Sequence, residues 1–198
     1  MRYIKDILDV LNITGMQRTQ PQPVYDPDLL VLRCTTATAQ NVTLYFTGSI
    51  VIYYTYNGVE YQDVRLANDW SGVYMPLNAA DAETDIKIRG NITQAGLDYP
   101  GNTIHMLAIS NTVTSCTIRN NVLTLDLRNA DLIQGFGYNP YGIETLYAVA
   151  STTDQRNICT HVLTESPTGG TMFIDETDTY AAAVKATAIA QGWNVYNL

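Results

Sequence analysis

The first apolar pattern lies near the start of the chain, where Ile4, Ile7, Leu8 and Leu11 are spaced i, i+3, i+4 and i+7. This spacing predicts one apolar stripe on a short helix over residues 3–12. A helix this short is marginal in water by itself, so we expect the stripe to dock on the protein's own body or on a partner. The stretch that follows is rich in proline and predicts an extended arm. Residues 1–28 are therefore interpreted as an anchoring segment.

From residue 29 onward the apolar positions follow period two in β-branched runs. Asn57-Gly58 separates two such runs and is the strongest short signal for a β-hairpin. Short strands at this spacing predict a small antiparallel β-sandwich-like domain over residues 29–85. Its predicted strands cover residues 30–32, 42–46, 50–56, 59–66 and 73–75, and a further strand at 86–88 follows directly after the domain.

The second half carries a degenerate repeat. Val122-x-x-Leu125-x-Leu127 returns as Ile143-x-x-Leu146-x-Ala148, a shift of 21 residues. A period of about 20–29 residues is typical of leucine-rich-repeat coils, whose apolar faces are buried only by stacking on one another. The count does not continue through residues 151–170, and the glycine-rich stretch 135–142 is predicted to project as a loop. Predicted strands lie at 106–109, 116–118, 125–127 and 146–148.

The last residues predict a strand at 171–174, an Ala-rich helix from about 180 to 191 and a strand at 193–198. Gly192 follows the helix as a stop signal. A strand–helix–strand unit would shield the open end of a stack of coils. The fold class is thus mainly β: the antiparallel domain, followed over residues 86–198 by a short leucine-rich-repeat-like solenoid with a C-terminal cap.

The composition agrees with a β-rich protein and argues against some classes of partner. Charged residues make up 15% of the chain, and 14 Tyr against 3 Phe suit half-buried strand surfaces. The net charge of −8, with scattered basic residues, argues against nucleic-acid binding. No apolar run is long enough for membrane insertion, and the start does not resemble a secretion signal. We therefore expect synthesis in a cytoplasm.

Candidate chemistry is sparse. Three cysteines without a Cys-x-x-Cys pair predict buried free thiols, and neither a metal nor a cofactor is expected. Asp175, Glu176 and Asp178 are explained better by favourable charge at a helix N-terminus than by a catalytic carboxylate pair. We predict a protein that is not an enzyme. The candidate contact residues are loop aromatics that could stack on sugars or fill a partner's pocket: Trp70, Tyr74, Tyr138 and Tyr141.

Two stretches resemble a known family. Residues 120–127 read Asn-Asn-Val-Leu-Thr-Leu-Asp-Leu, and Gln191-Gly192-Trp193-Asn194-Val195-Tyr196 follows the Ala-rich helix. Together with the strand at 86–93, they resemble the leucine-rich-repeat surface proteins of gut bacteria and their phages over about residues 86–198. The first stretch has one residue fewer between Thr and Leu than the family theme. A Trp-Gly-Asp-Gly-like turn of the family is replaced here by residues 54–58.

The resemblance implies a non-enzymatic structural or interaction protein of a bacterial surface or of a phage. Because the start does not resemble a secretion signal, we expect a phage virion component made in the host cytoplasm. It would serve as a decoration, fibre or adhesion module on capsid or tail, anchored through its N-terminal segment. Expected partners are other virion proteins or further copies of itself, and a glycan or protein of the host surface. The alternative is a glycan- or host-binding module on a bacterial cell surface. A third reading is a glycan-processing enzyme that uses Asp175 or Glu176.

Overall fold

A computed structural model describes residues 25–34, 40–66, 73–77, 83–97, 103–118, 121–138, 142–149, 152–166, 169–175 and 181–198. Within these ranges the chain forms twelve strands of one mixed sheet and two helices. The prediction of a mainly β protein is confirmed. The elements are β1 (Leu29–Cys34), β2 (Gln40–Tyr56), β3 (Val59–Leu66), β4 (Val73–Leu77), β5 (Asp85–Leu97), β6 (Thr103–Ala108), β7 (Ser115–Ile118), β8 (Asn121–Asp126), β9 (Gly135–Tyr138), β10 (Thr145–Ala148), α1 (Thr153–Glu165), β11 (Thr171–Ile174), α2 (Ala181–Ala190) and β12 (Asn194–Asn197).

The first five strands pair antiparallel. β2 runs through both apolar stretches that the sequence had suggested as separate strands, and it pairs with β3, β4 and β5. The predicted hairpin is present: Asn57 and Gly58 have φ of 52° and 74°, and Tyr56 is the register partner of Val59. Positive φ at both central residues is the geometry of a type I′ turn, which matches the twist of the flanking strands.

The pairing of β2 with β5 is interrupted at two places, between Tyr45 and Phe46 and again near the middle of β5. Its register shifts between Thr47 and Val51. Gly48 (φ 76°) lies within that shift, and Gly90 (φ 150°) lies in the facing part of β5. Only glycine adopts such angles readily. The residues of β5 before Gly90 pair with β1 and β2, whereas those after it pair with β2 and β7.

Two parallel ladders follow. One joins β5, β7 and β9. The other joins β6, β8, β10, β11 and β12. The repeat positions Leu125 and Leu146 are register partners and are fully buried. β1 pairs with both β5 and β6, so the sheet is continuous across the boundary drawn between residues 85 and 86.

Two segments differ from the sequence-based expectation. Residues 135–138 are a strand, so the projecting loop predicted for 135–142 was wrong at its start. An added Cβ at Gly135 or Gly137 would lie 3.1 Å from Ser115 Oγ or 3.3 Å from Thr117 Oγ1, so the two glycines pair with β7 without any shift of these side chains. α1 fills the region where the repeat count stopped. Thr152 caps it, accepting a hydrogen bond from the Gln155 N–H at 3.1 Å.

The core lies between the inner faces of the two ladders and the two helices. α1 contributes Ile158, Cys159, Val162 and Leu163, and α2 contributes Ala181, Val184 and Ala188. A second, small cluster lies on the opposite, outer face of the sheet, where Tyr25 packs on Leu29, Val31, Met106 and Ala108. No helix of the described residues has the length and apolarity needed to cross a membrane.

Candidate binding groove

An open groove of about 530 Å³ lies on the outer face of the antiparallel strands. Alternate residues of a strand share one face, and Lys87 of β5 is the register partner of both Tyr53 of β2 and Val31 of β1. The groove is therefore assembled from strands far apart in sequence. It is rich in tyrosine and in side chains of both charges: Leu29, Arg33, Tyr53, Tyr54, Thr55, Glu60, Tyr61, Glu83, Thr84, Asp85, Lys87 and Arg89.

One end of β5 carries a hydrogen-bonded ion pair. Arg33 Nε donates to Asp85 Oδ1 at 2.8 Å, and the two side chains are 21% and 17% exposed. The Tyr25 hydroxyl accepts from Arg33 Nη2 at 2.9 Å and donates to Asp85 Oδ2 at 3.1 Å. Burial, and then the negative charge of Asp85, raise the pKa of Tyr25 to about 12. The hydrogen bond to Asp85 raises the pKa of Arg33. These hydrogen bonds pair the two charges with each other and hold the three side chains in fixed positions in the groove wall.

At the other end of the charged residues of β5, Arg89 forms a more exposed ion pair with Asp26. Arg89 Nη2 donates to Asp26 Oδ2 at 2.5 Å, and Arg89 Nη1 lies 3.8 Å from Asp28 Oδ2. The hydrogen bond from Arg89 lowers the pKa of Asp26. These contacts hold residues 26–28 against the outer face beside the groove.

On the outer face of β5, Lys87 lies between Asp85, which is paired with Arg33 of β1, and Arg89, which is paired with Asp26. Its side chain is half-buried, and among the described residues it has no ion-pair partner. The neighbouring Tyr53 is 37% exposed. An ammonium group next to an accessible aromatic ring can bind an anionic or hydroxyl-rich ligand group while the ring supplies an apolar face.

At the hairpin end of the groove, Tyr54 and Tyr61 alternate with Tyr53 and Glu60, so their rings lie on the core side of the sheet. Tyr54 and Tyr61 are register partners whose rings stack at 5.5 Å between centroids, and Tyr56 lies 6.4 Å from Tyr61 in a tilted arrangement. Tyr54 also packs against the core, so this stack ties the projecting hairpin to the body. The exposed Glu60 adds an acceptor at the same end.

Two cysteines and one histidine, residue types that often take part in catalysis, lie in the core or at the rim of the groove. Cys116 and Cys159 are buried free thiols, as predicted, and burial raises the pKa of each to about 12. His105 Nδ1 lies 2.7 Å from Glu83 Oε2 at the groove rim, and both side chains are exposed. Within the part of the chain that is described, no group of three or more His, Cys, Asp or Glu residues could hold a metal ion.

Most of the residues proposed from sequence fall outside this description. The anchoring residues Ile4, Ile7, Leu8 and Leu11, and the aromatics Trp70 and Tyr141, lie outside the described residues. The main chains of Tyr74 and Tyr138 lie in β4 and β9, and their side chains are not described. Glu176 and Asp178 are likewise outside, whereas Asp175 follows β11. The prediction that these side chains make contacts stays a prediction.

No protein-family model, curated protein or solved structure matches this chain. The groove itself was missed by sequence reasoning, although one signal was present. Asp85, Lys87 and Arg89 alternate with Ile86 and Ile88. Three charged residues at period two, alternating with isoleucines, predict a strand with one charged face and one apolar face.

Proposed function

We propose that this protein is a non-enzymatic interaction protein that binds a saccharide chain in the groove, serving as a virion adhesion or decoration module. The observation that carries the proposal is the groove, where an exposed tyrosine and a lysine lie between two arginine–carboxylate pairs. Open clefts with aromatic walls and a few positioned polar groups are typical of binding sites.

Saccharides fit this chemistry better than an apolar ligand does. A sugar ring has apolar C–H faces that pack on an aromatic ring, and its hydroxyls both donate and accept hydrogen bonds. Tyr53 supplies the ring, Lys87 supplies donors, and Glu60 supplies acceptors. Arg33 and Asp85 are already oriented by one another and by Tyr25, so binding to them requires little ordering of side chains.

The proposed place in a virion rests on the sequence resemblance of residues 86–198. We further propose that these residues form a short leucine-rich-repeat-like solenoid that ends in the unit β11–α2–β12. The two parallel ladders and the register pairing of Leu125 with Leu146 support this reading. In such a fold the antiparallel strands would display the groove and the coils would support it.

Binding is tested on a glycan array with the purified full chain, followed by titration calorimetry on the saccharides that bind. Tyr53→Ala and Lys87→Ala should each weaken binding about tenfold or more, in line with about 1.4 kcal/mol per lost ring or charged contact. The matched control is Tyr45→Ala, which removes a tyrosine of the same strand with a similar exposure, 39% against 37%, outside the groove.

Equal weakening by the Tyr45 and Tyr53 replacements would contradict the assignment of the groove, and absence of any saccharide binding would contradict the function. The location is tested separately by mass spectrometry of purified virions and of host envelope fractions. Recovery with the envelope alone would contradict the virion placement and favour the bacterial surface module.

A further inference from the structure

The strand β12 lies at one edge of the sheet and has features that are typical of a protein–protein interface. Among the described strands it pairs with β11 alone. The Asn194 N–H donates to Gly170 O at 2.9 Å, and the Leu198 N–H donates to Ile174 O at 3.2 Å. Because successive residues of a strand point their main-chain groups to opposite sides, the N–H and C=O of Val195 are directed away from β11.

An aromatic row ends at the same edge. The rings of Tyr147 and Phe173 stack at 4.8 Å with an interplanar angle of 7°, and those of Phe173 and Tyr196 stack at 5.5 Å. Tyr147 and Phe173 are buried, whereas Tyr196 is 47% exposed. The outermost ring of the row thus lacks the cover that the inner two have.

The helix beside this edge is also apolar on its exposed side. Ala182, Ala186 and Ile189 are spaced i, i+4 and i+7 on one face of α2, and Ile189 is 58% exposed. A soluble stack of coils normally ends in a unit with a polar outer face. Here the exposed face of the terminal helix is the kind that a second surface covers.

We propose that two copies of this chain pair through β12 as antiparallel strands, related by a two-fold axis, with Tyr196 opposite Tyr196 of the second copy. In this register Val195 lies opposite Asn197 of the second copy, and the outward main-chain groups of Val195 meet a strand. Tyr196 then forms the close, non-hydrogen-bonded pair on the axis. The row of three stacked rings continues into three more from the second copy.

Charge favours this edge over the opposite one. The whole chain carries −8, so two copies repel one another, and the repulsion is smaller when the surfaces that meet carry no charge. β12 reads Asn-Val-Tyr-Asn and has no ionised side chain. β3 carries Glu60, Asp63 and Arg65, and charged side chains are a common guard against edge pairing. The small alanines of α2 let its symmetry mate approach to the low end of the about 8–10 Å between packed helices.

The full chain is examined by sedimentation equilibrium over a range of concentrations. We expect a monomer–dimer equilibrium and no higher species. Val195→Pro should weaken the dimer about tenfold or more, because it removes an outward N–H donor from each copy while sparing the bonds to β11. The matched control is Val64→Pro on β3. In a two-residue hairpin Tyr56 and Val59 form the hydrogen-bonded pair, so by alternation the Val64 N–H also points outward.

A second variant tests the register of the two β12 strands by cross-linking, which does not depend on a measured dimer affinity. Tyr196→Cys in a Cys34→Ser background should form a disulfide-linked dimer in mild oxidant, since paired Cα atoms at a non-hydrogen-bonded position are about 4.5 Å apart. Asn194→Cys, which lies off the axis, should not. A monomer at all concentrations, a dimer lost with Val64→Pro instead of Val195→Pro, or cross-linking at residue 194 in place of 196 would overturn the proposal. Saccharide binding by a monomer leaves the proposed function intact, so the two proposals fail separately.

Discussion

The buried ion pair of Asp126 and Arg128 should be one of the costliest contacts to break. Arg128 Nε donates to Asp126 Oδ1 at 2.9 Å and Nη2 donates to Asp126 Oδ2 at 2.6 Å, with both side chains 5% exposed. The guanidinium also lies 4.6 Å from the centroid of the Tyr147 ring. Arg128→Ala leaves the carboxylate buried without this partner, and removing one member of a buried pair costs about 3–5 kcal/mol.

The chain contains a natural control for this prediction. Asp63 and Arg65 have the same spacing in sequence and the same 2.6 Å between Nη2 and Oδ2, but their side chains are 38% and 53% exposed. Exposed pairs contribute about 0–1 kcal/mol, so Arg65→Ala should be close to neutral. Burial is the main variable that differs between the two pairs.

Urea unfolding followed by circular dichroism measures both variants, and equal m values are required for the comparison. Arg128→Ala should lower the free energy of unfolding by about 3–5 kcal/mol. In a thermal melt this corresponds to a melting temperature lower by about 6–20 °C, at about 2–4 °C per kcal/mol for a chain of this size. The double variant Asp126→Ala/Arg128→Ala should recover part of the loss because it leaves no lone charge. Equal losses for Arg128→Ala and Arg65→Ala would refute the reasoning from burial.

Two further changes test the antiparallel half. Gly90→Ala should cost about 1–3 kcal/mol in urea unfolding, since φ is 150° and the new Cβ would lie 2.7 Å from Ile50 Cγ2; Gly96→Ala, whose Cβ would meet nothing closer than 3.6 Å, should be near neutral. Burial, and then the charge of Asp85, raise the pKa of Tyr25 from 10.0 to about 12, so its contribution to stability is complete below pH 10 and is lost as pH rises toward 12. Relative to Tyr25→Phe, the native chain should therefore lose stability across that window, and a constant difference between them would contradict the shift.

Local alternation and turn chemistry carried much of the strand prediction. The hairpin followed from Asn57-Gly58 because few residue pairs adopt positive φ at both turn positions. The two apolar positions related by the 21-residue shift, Leu125 and Leu146, are register partners in the parallel strands β8 and β10.

The helix α1 and the strand β9 were harder to predict from the sequence. The buried residues Ile158, Cys159, Val162 and Leu163 of α1 follow a helical period, but a helix with so many Thr, Asn and Cys residues has low intrinsic propensity. The helix forms because burial of these apolar side chains in the core stabilises it and because Thr152 caps its N-terminus. In β9 the glycines that suggest a loop are the residues that fit against Ser115 and Thr117 of the neighbouring strand.

The groove was not predictable from local pattern because its parts meet only through register. Arg33, Tyr53 and Lys87 belong to three strands, and their proximity depends on β5 lying between β1 and β2. A one-residue slip of any of these strands would move its charged side chains to the opposite face. The sequence contained the alternating charges of β5 but not the identity of its neighbours.

The groove and the β12 edge lie on one face of the sheet, which links the two proposals. A single register row crosses that face through Lys87, Val31, Ala108, Asp126, Tyr147, Phe173 and Tyr196. A two-fold axis perpendicular to the sheet at β12 preserves the face, so both grooves of the proposed dimer would point the same way. Two sites directed at one surface can bind a multivalent glycan with an avidity about 10²–10⁴ above that of one site. Dimerisation through the opposite edge, β3, would also preserve the face, but it would place the charged β3 hairpins of the two copies against each other.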